Sequence, residues 1–376
     1  MNFLFVIDSV YNPNAGAGGT VITIGNELSS RGHKIEYIWR KENRFIKSNN
    51  FYRFFELPYD QYKQIKEALK KEKYDVVMVS QPFAFLAFFL LKPKYSNILF
   101  VNRSHGWELR IHQRLKLIAN STSKKWKSFK NIPAHLLMKF CSYLTVRYSD
   151  LILTASSDDK DFIKEAYPKY AYKVESILYG LSDDYIGLKY NEFSINNKIK
   201  FLFVGQYVER KGILDLMQIF KNLNYLKDKF ELTFIVNDGS IDNVTQDFSF
   251  LGASLKVYGW MEREKLVDFY NNSHIFLMPS YGEGFGKTTT EAMACGLCVL
   301  GYREAALKDI GVNGENALLV SVGNLEGLEK LTKEIINGNL NLNKLSYNAW
   351  NSVQNLTWEN SIDSMNEILM NYLNRY

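Results

Sequence analysis

Residues 274–296 read HIFLMPSYGEGFGKTTTEAMACG: an apolar strand-like run, a glycine turn, then the opening of a helical pattern. Within it GEGFGKTT (282–289) invites comparison with the phosphate loop of nucleotide triphosphatases. That loop needs four residues between its first glycine and the Gly-Lys-Thr. Counting back from Gly286 puts Tyr281 at the first-glycine position, and starting at Gly282 leaves the loop one residue short. The spacing Gly282-x-Gly284-x-Gly286 also fails the dinucleotide pattern, which wants two residues before its third glycine. What survives is a turn in which Gly284 and Gly286 let backbone approach a ligand closely. The amides of Lys287 to Thr289 open a helix there, a ready anion site. Glu283 stands just before the turn and Glu291 one to two turns into the helix. A carboxylate beside a phosphate is repelled, so this pair suits hydroxyl groups. Phosphate between amides, with hydroxyl-bearing rings on either side, describes a nucleotide sugar.

The same strand-turn-helix grammar runs through the chain, which argues for parallel sheets built from strand-helix-strand units. One series of strands is expected at FLFVID (from Phe3), KIEYI (Lys34), DVVMVS (Asp75), NILFVN (Asn97) and LILTA (Leu151). A second follows at IKFLFVG (Ile199), ELTFIV (Glu231), LKVYG (Leu255), HIFLMPS (His274) and LCVLGY (Leu297). Helical periods fill Gly19–Ser30, Ile213–Leu223 and Arg263–Asn271 between them. A polar, turn-rich stretch places the domain boundary near 183–197. The expectation is an α/β chain of two doubly wound, Rossmann-like domains, 1–185 and 195–358, facing a cleft. A final helix at about 360–376 packs back on the first domain. Ligands of such sheets bind beyond the carboxyl ends of the strands, so the loops after strands carry the chemistry.

Length and composition agree: 376 residues, 46% apolar and 15% aromatic, suffice for two cores. The three cysteines suit a reducing compartment. Cys295-Gly-Leu-Cys298 has redox spacing, but it closes a helix instead of opening one, and no zinc set accompanies it. The start MNFLFVIDSV reads as a buried strand, without a positive leader. The longest apolar run, Phe83 to Leu91, is about half of what spans a bilayer. A cytoplasmic, soluble or peripheral protein is expected.

Glu283 and Glu291, with seven residues between them in EGFGKTTTEAMACG, resemble the E-x7-E signature of the retaining glycosyltransferases of family 4. AGAGGTVITIGNELSSRGHKIEYI is similar to that family's N-terminal glycine turn and helix. FLFVGQYVERKGILDLMQIF resembles its diphosphate-binding segment, ENALLV its late strand, and KVESILYGLSDDY the approach to its interdomain linker. The resemblance covers nearly the whole chain and implies the GT-B architecture. It implies that Glu291 binds ribose hydroxyls and that Glu283 binds donor-sugar hydroxyls near the reacting carbon. Phe285 and Gly286 would present backbone N–H groups to the sugar, and Thr288 and Thr289 contact the diphosphate. Lys211 matches the lysine that neutralises the departing diphosphate. The arginine usual five residues before it is replaced by Gln206, one cation fewer; Arg210 is adjacent, but side chains one apart point different ways. Gly18 and Gly19 would bring backbone against the diphosphate or donor sugar, and His105, directly after a strand, would face donor sugar and acceptor. The implied reaction moves a sugar from a nucleotide diphosphate, uridine more commonly than guanosine, to a hydroxyl with retained configuration. No cofactor and no metal are needed. A catalytically silent glycan- or partner-binding protein, and a phosphorylase or epimerase, are the alternatives on this scaffold.

Asp159-Lys-Asp161 matches the D-x-D by which other glycosyltransferases hold a metal-bridged diphosphate, yet it sits at a helix start, where acids complement the dipole. The expected cost of replacing either acid is small. Charge is uneven. Residues 109–149 hold nine Lys or Arg and no acid, and residues 40–53 add a net +4; with +6 overall, the remainder carries −7. Both segments mix cations with apolar groups: Trp126 and Phe129, and Phe45, Phe51, Tyr52, Phe54 and Phe55. That suits an anionic membrane surface, engaged through Lys124, Lys125 and Lys127, and a glycan or lipid-linked acceptor. No nucleic-acid motif accompanies the charge.

Overall fold

The computed structural model describes residues 1–12, 16–40, 52–80, 84–121, 128–194 and 198–374, with backbone alone for 52–53, 116–121 and 128–134. Twelve strands are described. They are β1 Asn2–Ile7, β2 Lys34–Trp39, β3 Val76–Ser80, β4 Leu99–Arg103, β5 Leu151–Thr154, β6 Val174–Ser176, β7 Ile199–Val204, β8 Phe230–Ile235, β9 Leu255–Tyr258, β10 Ile275–Met278, β11 Cys298–Tyr302 and β12 Ala317–Val320. The helices are α1 Gly16–Ser30, α2 Leu57–Lys71, α3 Phe85–Leu91, α4 Glu108–Ser121, α5 Ser128–Tyr148, α6 Ser157–Ala166 and α7 Ile213–Asn222. They continue with α8 Ile241–Asp247, α9 Arg263–Asn271, α10 Lys287–Ala294, α11 Ala306–Ile310, α12 Leu325–Ile336, α13 Leu342–Ser352 and α14 Trp358–Leu373.

The chain divides into two compact units. The first holds Met1–Gln113, Thr122–Tyr179 and Trp358–Tyr376; the second holds Arg114–Ser121 and Gly180–Thr357. Residues from Gly180 onward therefore count with the second unit, a few positions before the turn-rich stretch.

In the first unit six parallel strands run in the order β2-β1-β3-β4-β5-β6. β1, β3 and β5 are largely apolar and, like β4 with its buried Asn102 and Arg103, are buried on both faces, as helices on either side of a parallel sheet require. On one face Leu4, Val6, Val77, Val79 and Phe100 meet Ile65 and Leu69 of α2 and Ala87, Phe88 and Leu91 of α3. α1 packs against β2 and α14. Gly25 of α1 is forced by this packing, since a Cβ there would lie 1.7 Å from the Tyr37 hydroxyl. α14 is tied in by Trp358 stacked on Tyr179, by Arg31 to Asp363 at 3.2 Å, and by the Tyr372 hydroxyl donating to the Tyr172 carbonyl at 2.8 Å.

The second unit repeats the plan with the order β12-β11-β10-β7-β8-β9, all parallel. Odd strand positions such as Phe201, Phe203, Leu232 and Phe234 pack with Leu216, Phe220 and Phe248 on one face. Even positions such as Leu202, Val204, Phe276 and Val299 pack with Ala292, Met293 and Ala349 on the other. Both sheets reverse direction of growth beside their first strand, between β1 and β3 and between β7 and β10. Those reversals are where such sheets open a crevice at the carboxyl ends of their strands. Among the described residues no helix is long and apolar enough to cross a membrane.

Candidate functional site

At the β7/β10 reversal, the loop after β7 carries Gln206, Arg210 and Lys211, and the loop after β10 carries Glu283, Phe285 and Gly286. Two glycines make the approach possible. Gly212 has φ +73°, and a Cβ on it would lie 2.0 Å from the Pro279 carbonyl oxygen, so the β7 loop closes directly onto the β10 loop. Gly286 has φ +88° and caps α10, an orientation that costs a side-chain-bearing residue strain. Tyr281 N–H donates to the Arg210 carbonyl at 2.9 Å and stitches the two loops.

Glu283 is the hub. Its Oε1 lies 2.8 Å from Lys211 Nζ and 2.9 Å from Arg210 Nη1, and Arg210 also donates to the Gly282 carbonyl. Burial pushes the Glu283 carboxyl up, but Lys211 and then Arg210 more than offset it and hold it below the usual carboxylate range. Arg210 thus converges with Lys211, although adjacency in sequence argues for divergence. A one-turn 3₁₀ segment, Glu209–Lys211, ends at the left-handed Gly212, and two long stems reach one carboxylate from its end. Gln206, in the position lacking the expected cation, is exposed at the end of β7.

Two further residues, invisible to motif reading, hold this turn. Glu304, buried after β11, accepts the Glu283 N–H at 3.3 Å. Ala305 follows with φ +51°, the only non-glycine residue with positive φ among those described, and the next amide, Ala306 N–H, donates to the Phe285 carbonyl at 3.1 Å. Nothing in the spacing of 298–306 signals either contact.

α10 begins at Lys287, so the amides of residues 287–289 form its first turn, with Thr288 half-buried. The Thr289 hydroxyl is buried there with no hydrogen-bond partner among the described residues. Glu291, one turn in, accepts from the Tyr270 hydroxyl at 3.4 Å. Burial holds its carboxyl above the usual range against the pull of Lys287 and Arg263. One turn thus presents a carboxyl compensated by two cations, a helix amino-terminus and a second, buried carboxyl.

Gly18, Gly19 and His105 belong to the first unit. Gly18 and Gly19 are buried in the first turn of α1, which starts at Gly16, three residues before the Gly19 start that the sequence gives, and so takes in Gly18. His105 follows β4; its Nε2 lies 3.4 Å from Ser80 Oγ at the end of β3, and its Nδ1 3.2 Å from the Tyr179 hydroxyl.

Asp159 corrects an expectation. It is not a dipole-facing surface acid: it is buried, with Oδ1 2.6 Å from Arg110 Nε and Oδ2 accepting Trp107 N–H at 2.8 Å. The helix start faces inward, and the acid neutralises a buried arginine. Among the described residues no group of three or more His, Cys, Asp or Glu could hold a metal ion. Cys295 closes α10 and Cys298 opens β11, and burial pushes both thiols up to about 12. Trp126, Phe45, Phe51, Lys124, Lys125 and Lys127 lie outside the described residues, as do the side chains of Phe129 and Tyr52.

Two Rossmann-type sheets, with a cation-compensated carboxylate at the β7/β10 reversal of the second, define a GT-B protein. Residues 15–183 match the Glycosyltransferase Family 4 model and residues 189–352 that of the glycosyl transferases group 1, and the chain belongs to this family. It is 26% identical over 260 residues to the capsular polysaccharide biosynthesis glycosyltransferase CapM of Staphylococcus aureus, a match covering 64% of this chain and 66% of CapM. The chain thus spans somewhat less than two thirds of that relative's length. Two solved structures share the fold throughout. Sucrose-phosphate synthase from Thermosynechococcus elongatus has TM-score 0.77 at 17% identity, covering 100% of both chains. Anabaena HepE in complex with UDP-glucose has TM-score 0.68 at 14% identity, covering 99% of this chain and 100% of HepE.

Proposed function

We propose that the chain is a retaining, metal-independent glycosyltransferase. It moves a sugar from a nucleotide-diphosphate sugar, a UDP-sugar before a GDP-sugar, to a hydroxyl of a glycan or lipid-linked glycan. The observation that carries this reading is the turn at Glu283: two cations on one carboxylate, beside a helix amino-terminus with a buried hydroxyl at Thr289 that has no partner among the described residues. Charge develops on the diphosphate as the sugar leaves. Lys211, Arg210 and the first-turn amides of α10 are preorganised for it, the arrangement that lowers a barrier without solvent reorganisation. Arg210 supplies the cation that Gln206 does not. Glu283 would hold donor-sugar hydroxyls and Glu291 the ribose. Thr288 and Thr289 would meet the diphosphate, and the Phe285 and Gly286 amides the sugar. Gly18, Gly19 and His105 would complete the donor and acceptor contacts from the first unit. The leaving phosphate oxygen takes the acceptor's proton on the same face.

The capsular role in the name of CapM and the UDP-glucose in the HepE complex favour a uridine donor and an envelope polysaccharide product. We place the enzyme in the cytoplasm, peripheral on the inner membrane face, without cofactor or nucleic-acid partner. Incubation with a panel of nucleotide sugars, scored for slow hydrolysis and for transfer in excess chelator, tests the reading. Turnover of one donor with retained configuration and no metal supports it. Loss in chelator with rescue by magnesium or manganese, or phosphorolysis without an acceptor, overturns it. Binding of a glycan with no turnover of any donor assigns the chain to the silent class.

A further inference from the structure

The first unit carries an apolar surface that its own packing does not use. α3 reads FLAFFLL, with no polar residue on any side. It packs between α2 and α5 and buries Ala87, Phe88 and Leu91, yet Phe89 is left exposed. On α5, Met138 and Cys141 face the core, while Leu136 and Phe140, four residues apart on one stripe, face solvent. Phe55, in the turn Tyr52–Glu56 before α2, and Tyr59 in the first turn of α2 are exposed as well. Each of these five side chains is roughly half exposed, and every exposed phenylalanine among the described residues is one of them. Exposed apolar side chains gathered on elements that pack side by side mark a face that meets something apolar.

Two of the three elements carry only basic charge of their own, although Lys92 is paired with Asp150 and Glu165 lines a cleft with Lys139. α3 with the Lys92–Lys94 turn after it, and α5 from Ser128 to Tyr148, contain no acid. Lys139 is exposed beside Phe140, and Arg147 two turns on. On the α2 side the acids are Glu56, Asp60 and Glu67; Glu67 is taken by Lys70 at 2.7 Å, and Lys63 lies 4.6 Å over the Tyr59 ring. Amphipathic groups that keep a charged head above an apolar ring suit the boundary between water and hydrocarbon.

We infer that the face formed by α2, α3 and α5 docks on an anionic lipid bilayer, with Phe89, Leu136 and Phe140 entering the acyl boundary and Lys63, Lys139 and Arg147 at the headgroups. This rests on the proposal that the acceptor is held at a membrane, and gives that proposal its surface. The test separates the two. Binding is measured by sedimentation with phosphatidylcholine vesicles, with and without phosphatidylglycerol, and no donor; donor hydrolysis is measured without vesicles. Binding is expected only with phosphatidylglycerol, fading as salt rises. Phe89→Ser with Leu136→Ser and Phe140→Ser lowers it roughly tenfold or more, and Lys63→Glu with Lys139→Glu abolishes the preference for anionic lipid. Both variants keep the wild-type melting temperature and hydrolysis rate, because none of these residues is buried and none belongs to the unit that carries Glu283. Equal binding to neutral and anionic vesicles, binding to neither, or wild-type binding by the serine variant overturns the inference. So does a dimer in sedimentation velocity that the serine variant dissolves, which would give the face to a second copy of the chain.

Discussion

Each unit buries an acid against an arginine, to different ends. In the first, Asp159 is 0% exposed and Arg110 3%; Trp107 N–H and Asp158, 3.4 Å from Arg110, complete the set. Two carboxylates meet one guanidinium, and water is shut out. In the second, Glu283 is 11% exposed, while its cations Lys211 and Arg210 remain 12% and 28% exposed. Two cations share the Glu283 carboxylate, and both stay within reach of solvent. A cluster closed to water holds the chain together; cations that stay open to solvent can receive an anion. Asp159 accepts the Trp107 amide two residues after His105, so the closed pair also steadies the loop that carries that histidine.

The sharpest break would come from Asp159→Ala. Breaking a buried pair costs about 3–5 kcal/mol, and Asp158, left 3.4 Å from Arg110, puts the expected loss at the low end of that range. Urea unfolding should show that loss; a change below about 1 kcal/mol would mean that the pair is not closed. Lys211→Ala should do the reverse: little change in unfolding, but a barrier raised by about 2.7–4 kcal/mol, or roughly 10²–10³ in rate. Steady-state kinetics check it, with Glu283→Ala slowing transfer and Glu291→Ala chiefly weakening nucleotide binding. Normal turnover in both Lys211→Ala and Glu283→Ala would leave the open pair without a function.

A neutral buried group extends the comparison. His274 is stacked on Phe193 and accepts the Lys200 N–H at 3.1 Å; burial pushes its pKa down to about 4. The unfolded chain binds a proton near pH 6.5 and the folded chain does not. Stability is therefore lost as pH falls from about 6.5 towards 4, by up to about 3 kcal/mol. His274→Gln should flatten that slope in urea titrations at several pH values; an unchanged slope would assign the loss to other groups. The smallest effect concerns Ala305. Glycine there relieves the positive φ and should stabilise by about 1 kcal/mol, read from the unfolding midpoint. A destabilised Ala305→Gly would show that the backbone is not strained.

Strand-turn-helix order, the parallel class and the place of the carboxylates were legible in the sequence, because an apolar run buried on both faces and a glycine turn leave local marks. The ten strand candidates correspond to β1–β5 and β7–β11 to within two residues at their starts. β6, three residues long, was not among them, since so short an edge strand has no period to read. Glu283, Glu291 and Lys211 stood out by residue type and spacing. Arg210, Glu304 and the buried Asp159–Arg110 pair did not. Arg210 sits one residue from Lys211, and only the left-handed Gly212 aims both at one oxygen. Glu304 lies 21 residues from Glu283 and Asp159 lies 49 from Arg110, each on a separate loop or helix. Local pattern reports which face of an element is apolar. Which charges share a pocket depends on how distant elements stack, and that is settled only when the sheets and helices pack.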